Sequence, residues 1–346
     1  MAQQRARAVT QRGLAQLAGV SVATVSRVLS SPPDQRQRWA APETVQTILA
    51  LAENHGYTRN PHATSLRTSR SNLVGVMVPR LQDFVLATIY EGIEEAAMEN
   101  GINTYVMNSL DDTKLQRTRT RAMLDRRVDG LIFGDAHLDD PFLDELREQG
   151  VPLVLTSRRR DGHVAVTNDD YLGGRLVAEH LLELGRTEVV VLAGLEFAST
   201  AYDRTRGLID RLAEVGIDVP KSHLIYRGFD TGAGRQAMGE ILEAKIRPNA
   251  VFATNDFAAI GALGVLQDHG FSVPSDVALI GYNDTPLAES VGIPMTTVRS
   301  KMHLMGRESL LTLLALMAGE EVESQKLEPE LIVRASSAAP NFRSRR

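Results

Sequence analysis

Three features of this 346-residue chain predict an α plus α/β protein, with a small helical head followed by two doubly wound parallel-sheet subdomains. Residues 10–30, TQRGLAQLAGVSVATVSRVLS, carry two short apolar stripes separated by a glycine. From Leu73 onward, short β-rich runs alternate with amphipathic helical stretches. The charge divides at the same place. Residues 1–70 hold nine arginines against three carboxylates, a net +6, whereas the whole chain is −5, which leaves −11 for the remainder.

In the head, Leu14, Leu17 and Ala18 form one apolar face and Val25, Val28 and Leu29 a second. Gly19 supplies the positive φ of a sharp turn, small Ala15 lets the helices cross closely, and Ser21 can cap the second helix. Neither helix can bury a core alone, so the two pack on each other as a helix-turn-helix. An ordinary αα-hairpin would read the same way, and the basic head on an acidic body favours the nucleic-acid reading. Val22, Ala23, Thr24, Ser26 and Arg27 stay off the core face, a set suited to phosphates and base edges in a major groove.

Residues 1–9 are polar and basic and read as an arm or a frayed end. The prolines and charges of SSPPDQRQRWAAP read as a loop, in which Trp39 is expected to pack over the edge of the head rather than to touch bases. Val45, Ile48, Leu49 and Ala52 predict a third helix that ends at Gly56. Asn60-Pro61 starts a helix of one or two turns through HATSLR, too short to persist without contacts from a partner or DNA.

In the body, strands are expected at 73–78, 104–108, 130–134, 151–156, 189–194, 250–254 and 277–282, and helices at 86–99, 171–184, 201–215, 233–244 and 257–269. Near-continuous apolar strands between such helices indicate sheets covered on both faces. About 270 residues exceed one core, so two sheets are expected, with a ligand cleft at the carboxyl ends of their strands.

Composition narrows the function classes. With 43% hydrophobic and 23% charged residues the chain is ordinary for a globular protein, and with no cysteine it has no disulfide framework or thiolate metal site. No apolar run is long enough to span a membrane, and the basic N-terminus lacks the apolar stretch of a signal peptide, so a cytoplasmic protein is expected. No nucleophile elbow, phosphate loop, dinucleotide fingerprint or paired-histidine metal motif is present, so neither an enzyme nor a cofactor is expected. Two other functions fit the body. A sugar-binding transport component would need a signal peptide and no head; a nucleotide-using enzyme would need a glycine-rich phosphate loop.

From end to end the chain resembles the LacI/GalR transcription regulators. The resemblance rests on LAQLAGVSVATVSRVL, PET at 42–44, HGY at 55–57, SLRTSRSN at 65–72, VGVMVP at 74–79, RRVDGLI at 126–132 and GGRLVAEHLLELG at 173–185. It continues through FATNDFAAIGAL at 252–263, VPSDVALIGYNDTPLA at 273–288 and TTVR at 296–299. It implies a homodimer on palindromic operator DNA, a hinge helix that folds on the operator, and a body similar to periplasmic sugar-binding proteins of type I. The implied division is a head at 1–58, a hinge at 59–71, one subdomain at 72–168 and 300–328, and another at 169–299 and 329–340. Val22, Ala23 and Arg27 match base-reading positions, Ser21, Thr24 and Ser26 match phosphate contacts, and Thr10 is counted with them. Leu66 matches a leucine that wedges into the minor groove.

The resemblance also implies an effector, most readily a sugar or polyol, with a nucleoside or purine as the alternative. Phe229 matches a ring that stacks on the ligand, Arg204 a guanidinium that grips its oxygens and Asp256 a carboxylate that accepts its donors. The bland readings are core for Phe229, a surface ion pair with Asp203 for Arg204, and a helix cap for Asp256. Asp83 and Phe84 are placed at the pocket despite a broken motif after Pro79. Arg158 is placed there too, although Arg158-Arg159-Arg160 also reads as a solvated loop face. The chain departs from the family pattern in an insertion between Leu29 and Pro42, in Ala41 where a capping Ser or Thr is usual, in the place of Pro61, and in Thr64 where Arg is common. After Pro340 too few residues follow for heptads, so a dimer and not a coil-linked tetramer is expected.

Overall fold

The computed structural model describes residues 9–57 and 70–338. The chain separates into two compact units, Met1–Ser69 and Arg70–Arg346.

In the first unit, α1 (Gln11–Ala18) and α2 (Val22–Ser30) meet with a bend of 108°, the geometry of a helix-turn-helix. Gly19 sits at φ +65° between them, and the Val20 N–H returns to the Ala15 carbonyl at 3.1 Å. A short 3₁₀ turn (Pro33–Arg38) leads to α3 (Pro42–Asn54). Leu14, Ala15, Val25, Val28, Val45, Ile48 and Ala52 form the shared core. Leu17 does not join them. It is 56% exposed, because the three-helix core is filled by Leu14 and Ala15 from α1 and the third apolar position falls on the open side. Ala41 precedes α3 with no side-chain cap, and Pro42 fills the first helical position in compensation.

The second unit holds two six-stranded sheets. The first is ordered β11-β5-β4-β3-β1-β2 and contains β1 (Leu73–Val78), β2 (Asn103–Asn108), β3 (Gly130–Phe133), β4 (Leu153–Thr156), β5 (Ala165–Asn168) and β11 (Gln325–Leu327). The second is ordered β12-β10-β9-β8-β6-β7 and contains β6 (Val189–Gly194), β7 (Leu224–Tyr226), β8 (Ala250–Ala253), β9 (Ala278–Asn283), β10 (Thr296–Arg299) and β12 (Glu330–Ile332). Pairing is parallel throughout except at β10–β12, which runs antiparallel, so the second sheet is mixed at its edge. The central strands are buried on both faces, as their unbroken apolar runs require.

Helices cover both sheets: α4 (Phe84–Glu99), α5 (Thr113–Asp125), α6 (Phe142–Glu148), α7 (Asp170–Glu183), α8 (Ser199–Ala213), α9 (Thr231–Glu243), α10 (Asp256–Asp268), α11 (Pro286–Ser290) and α12 (Met302–Ala318). Three helix pairs approach backbone to backbone through reciprocal glycines. A Cβ on Gly92 of α4 would meet the His303 carbonyl of α12, and one on Gly306 would meet that of Ile89. Gly174 and Gly207 do the same for α7 and α8, as do Gly234 and Gly261 for α9 and α10. α4 thus has one face committed to α12 within its own chain. The chain crosses between the sheets after β5, after β10 and between β11 and β12, so each lobe is discontinuous in sequence. Among the described residues no single helix is long and apolar enough to cross a membrane.

Candidate functional site

The head presents one polar helix face. Thr10 caps α1, its hydroxyl accepting from the Gly13 N–H at 3.2 Å. Ser21 caps α2, accepting from the Thr24 N–H at 3.1 Å, and its hydroxyl also meets the Thr24 hydroxyl at 2.9 Å. With Val25 and Val28 turned into the core, Val22 is left 43% exposed. Ala23 and Arg27 are exposed beside it and Ser26 half-buried. This is one continuous face at helical spacing, with free backbone N–H groups at its start and a guanidinium one turn on. Leu66 and most of the hinge stretch lie outside the described residues.

Trp39 lies over the edge of the head, as its sequence context suggested, but against the polar face. Its indole N–H donates to the Ser31 hydroxyl at 3.0 Å, and the Arg27 guanidinium carbon stands 4.5 Å from its ring centroid.

In the second unit, a cavity of about 490 Å³ opens between the lobes. It is lined by Pro79, Arg80, Gln82, Asp83, Asp111 and Arg158 from one side and by Phe229, Asp230, Thr231 and Phe257 from the other. A narrower recess beside it shares Asp83, Arg158 and Phe229 and adds Thr200, Arg204, Asn255 and Asn283. Four of the six residues placed here from sequence therefore come together: Asp83, Arg158, Arg204 and Phe229.

Each is held by its own element. Asp83 caps α4 through a bond from the Val85 N–H at 2.9 Å, and burial pushes its carboxyl up while that bond opposes the shift. Phe229 rests its ring on Gly194, where a Cβ would collide with it. Arg158 bonds Asp111 at 2.7 Å, and its guanidinium lies 5.6 Å from the Phe197 ring centroid. Asp111 was not foreseen; it stands at φ +56° in a turn 47 positions earlier, with no pattern to mark it.

Arg204 is 5% exposed and lies 3.7 Å from the Tyr282 ring centroid. Its Nε donates to Asp170 at 2.8 Å and Nη1 to the Thr254 carbonyl at 2.7 Å, which leaves Nη2 without a protein acceptor among the described residues. Burial, the largest single influence, would lower its pKa, but Asp170, Tyr282 and Asp256 together outweigh it and hold the guanidinium charged. Burial in turn pushes Asp170 up, against the pull of Arg204. The surface pair with Asp203 does not form. Asp203 instead takes Arg159 bidentately at 2.7 Å on each oxygen.

The other two of the six lie outside both cavities. Phe84 is 38% exposed and is not among the residues lining either cavity, because the first turn of α4 offers Val85 and Leu86 to the recess instead. Asp256 is fully buried, accepting from the Thr297 hydroxyl at 2.6 Å and the Thr285 N–H at 2.7 Å, and lines neither cavity. Nor does it cap α10. Asn255 does so, accepting from the Ala258 N–H at 2.8 Å, and Asp256 ties that helix to the loop after β9. Burial pushes Asp256 up to about 6.

The run Arg158–Arg160 is not a solvated face. Each guanidinium finds a carboxylate, Arg158 at Asp111, Arg159 at Asp203 and Arg160 at Asp144. Arg159 thereby ties the two lobes, and two further contacts join them. His137 stacks on Phe197 with centroids 3.9 Å apart, and the Leu138 N–H donates to the Phe197 carbonyl at 3.0 Å.

Comparison with known proteins agrees with both units. Residues 12–60 match the model of bacterial regulatory proteins of the lacI family, and residues 178–337 match the periplasmic binding protein-like domain. The HTH-type transcriptional regulator DegA of Bacillus subtilis (strain 168) is 30% identical over 335 residues, covering 95% of this chain and 98% of that protein. The HTH-type transcriptional repressor PurR of Shigella dysenteriae serotype 1 (strain Sd197) is 30% identical over 343 residues, covering 97% and 99%. Among solved structures, the lac repressor dimer bound to operator and the anti-inducer ONPF superposes with a TM-score of 0.87 at 27% identity, covering 96% of this chain and 100% of that one. The complex of transcriptional regulator CelR with cellobiose gives 0.71 at 29% identity, covering 95% and 99%. The chain belongs to the LacI family of bacterial regulatory proteins and is a DNA-binding transcriptional regulator, not an enzyme.

Proposed function

We propose that the chain is a repressor that binds a two-fold symmetric operator as a homodimer and is controlled by a polyhydroxylated small ligand in the cleft between its lobes. The observation that carries the ligand reading is the lining of the 490 Å³ cavity, where Asp83, Asp111, Arg158 and Asp230 stand beside the half-buried aromatic rings of Phe229 and Phe257. Charged groups at a ring's rim and an aromatic face beneath it suit hydroxyl donors and acceptors around an apolar ring face. The relative solved with cellobiose supports the same class, and the relatives titled repressor support that direction of control.

In this reading Arg27 makes a bidentate contact to a guanine, and Val22 and Ala23 lie against thymine methyl groups. Thr10, Ser21, Thr24 and Ser26 meet phosphates, and Leu66 opens the minor groove between half-sites. In the cleft Phe229 stacks on the ligand, while Arg204 offers Nη2 to its oxygens. The ligand acts by favouring one arrangement of the lobes over another, so bound DNA must alter ligand affinity by the same factor.

Two experiments test this. Selection of the full chain against a duplex library should enrich inverted half-sites, and the absence of enrichment would reject operator recognition. Thermal unfolding against pentoses, hexoses, disaccharides, inositols, nucleosides, purines and sugar phosphates should find one class that stabilises. A ligand at a hundred times its Kd adds about 2.7 kcal/mol. The shift should vanish in Phe229→Ala; a purine hit with inert sugars would replace the polyol reading.

A further inference from the structure

The segment between α2 and α3 is longer than the family pattern requires, and the proposed contacts make no use of it. It nevertheless reaches the face that would lie on DNA. Its 3₁₀ turn ends with the Trp39 N–H donating to the Arg36 carbonyl at 3.1 Å, and the Arg36 Nε donates to the Ser31 carbonyl at 3.1 Å. Together with the indole bond to Ser31, these fix the ring at the C-terminal end of α2, 42% exposed. Arg27 lies on that ring, and its guanidinium makes no hydrogen bond or ion pair to the described residues.

We propose that Trp39 is a positioning residue for Arg27, holding the guanidinium by its face so that its N–H edge is presented to a guanine. A guanidinium stacks through its plane and donates through its edge, so the two contacts are compatible. An unrestrained arginine on an exposed helix face samples many rotamers, and a ring that selects a few of them reduces the ordering lost on binding. The insertion would in this way sharpen base choice without touching a base. The inference rests on the reading of Arg27 as a base contact.

The test uses the full chain and the duplex that the wild type enriches from a randomised library, together with its single base-pair substitutions. Arg27→Ala should relax preference at one G·C pair of each half-site. Trp39→Leu, which keeps apolar bulk without the π face, should reduce preference at that same pair about 2- to 5-fold, the size of a cation–π contact at an exposed site. Other positions should be unaffected. Trp39→Phe should retain most of the preference, and Trp39→Leu should add nothing in an Arg27→Ala background.

Wild-type discrimination in Trp39→Leu, or a loss spread evenly over all positions, would overturn the proposal. If Arg27→Ala relaxes one pair and Trp39→Leu does not, positioning alone fails; if Arg27→Ala relaxes none, base reading fails and positioning with it. Should Trp39→Leu not fold, the chain's single tryptophan gives an independent readout. Its emission in the free protein should change in Arg27→Ala, and unchanged emission would refute the stacked geometry.

Discussion

Replacing Arg204 with methionine separates the structural role of this guanidinium from any grip on a ligand. Arg204 and Asp170 are each 5% exposed, and the methionine removes bonds of 2.8 Å to Asp170 and 2.7 Å to the Thr254 carbonyl. Breaking a buried pair from one side costs about 3–5 kcal/mol, since the remaining charge is left without a partner. Changing Asp170 to asparagine in the same chain removes that charge, so the double variant should cost only about 1–2 kcal/mol, the unmet Thr254 carbonyl. The pH dependence has a definite sign. Asp170 is already held above its ordinary range by burial, and losing Arg204 moves it further in that direction. A carboxyl raised in the folded state contributes stability that is present at low pH and lost as pH rises through its folded pKa. The single variant should therefore be closer to wild type at pH 5 than at pH 7.5. Urea unfolding followed by circular dichroism at both values reads this directly. A single-variant cost below about 1 kcal/mol, or a double variant as unstable as the single, would refute the argument.

Other expectations follow from the same geometry. Asp135 is fully buried beside Ser109 and Gln116, and burial pushes it up from 3.8 to about 6 against the pull of those two side chains. Its contribution is present below about pH 4 and lost through about pH 6, so Asp135→Asn should gain up to about 3 kcal/mol over wild type between those values in the same unfolding assay. Gly92→Ala would drive a Cβ into the His303 carbonyl, whereas Gly239→Ala meets nothing within 4 Å inside a helix. Melting should show the first variant destabilised by several kcal/mol and the second stabilised by up to about 1 kcal/mol. Ser21→Ala removes the cap of α2 and should cost about 1 kcal/mol in chemical unfolding of the head, unfolding unchanged from wild type being the contrary result.

Much of the fold is written locally. The Gly19 turn, the Ser21 cap and the 25/28 apolar stripe need only neighbours in sequence, and they occur as read. The seven strands expected in the body all form, within two residues at their ends; six are buried nearly throughout and read as continuous apolar runs, and β2 at the sheet edge is half-buried. Five strands of only three or four residues, β5, β7, β10, β11 and β12, are too short to stand out as apolar runs. Leu17 shows the limit of periodicity, which gives a face but not how many helices exist to cover it.

The site was less legible for a different reason. Asp111 with Arg158, Asp170 with Arg204 and Asp144 with Arg160 join residues far apart in sequence, and charge alone does not say which carboxylate each arginine will meet. The cap of α10 falls at Asn255 and not at Asp256, because either residue can begin a helix and only the packing of β9 and β10 decides. The contact between Arg27 and Trp39 depends on how an inserted loop folds back, which no local pattern encodes.

The most direct test of ligand control is the affinity of the full chain for its selected duplex, measured with and without the compound that stabilises it in the thermal panel. The account predicts that the compound changes duplex affinity and that saturating duplex changes compound affinity by the same factor, with both effects lost in Phe229→Ala. A compound that binds the cleft while duplex affinity stays the same would contradict it.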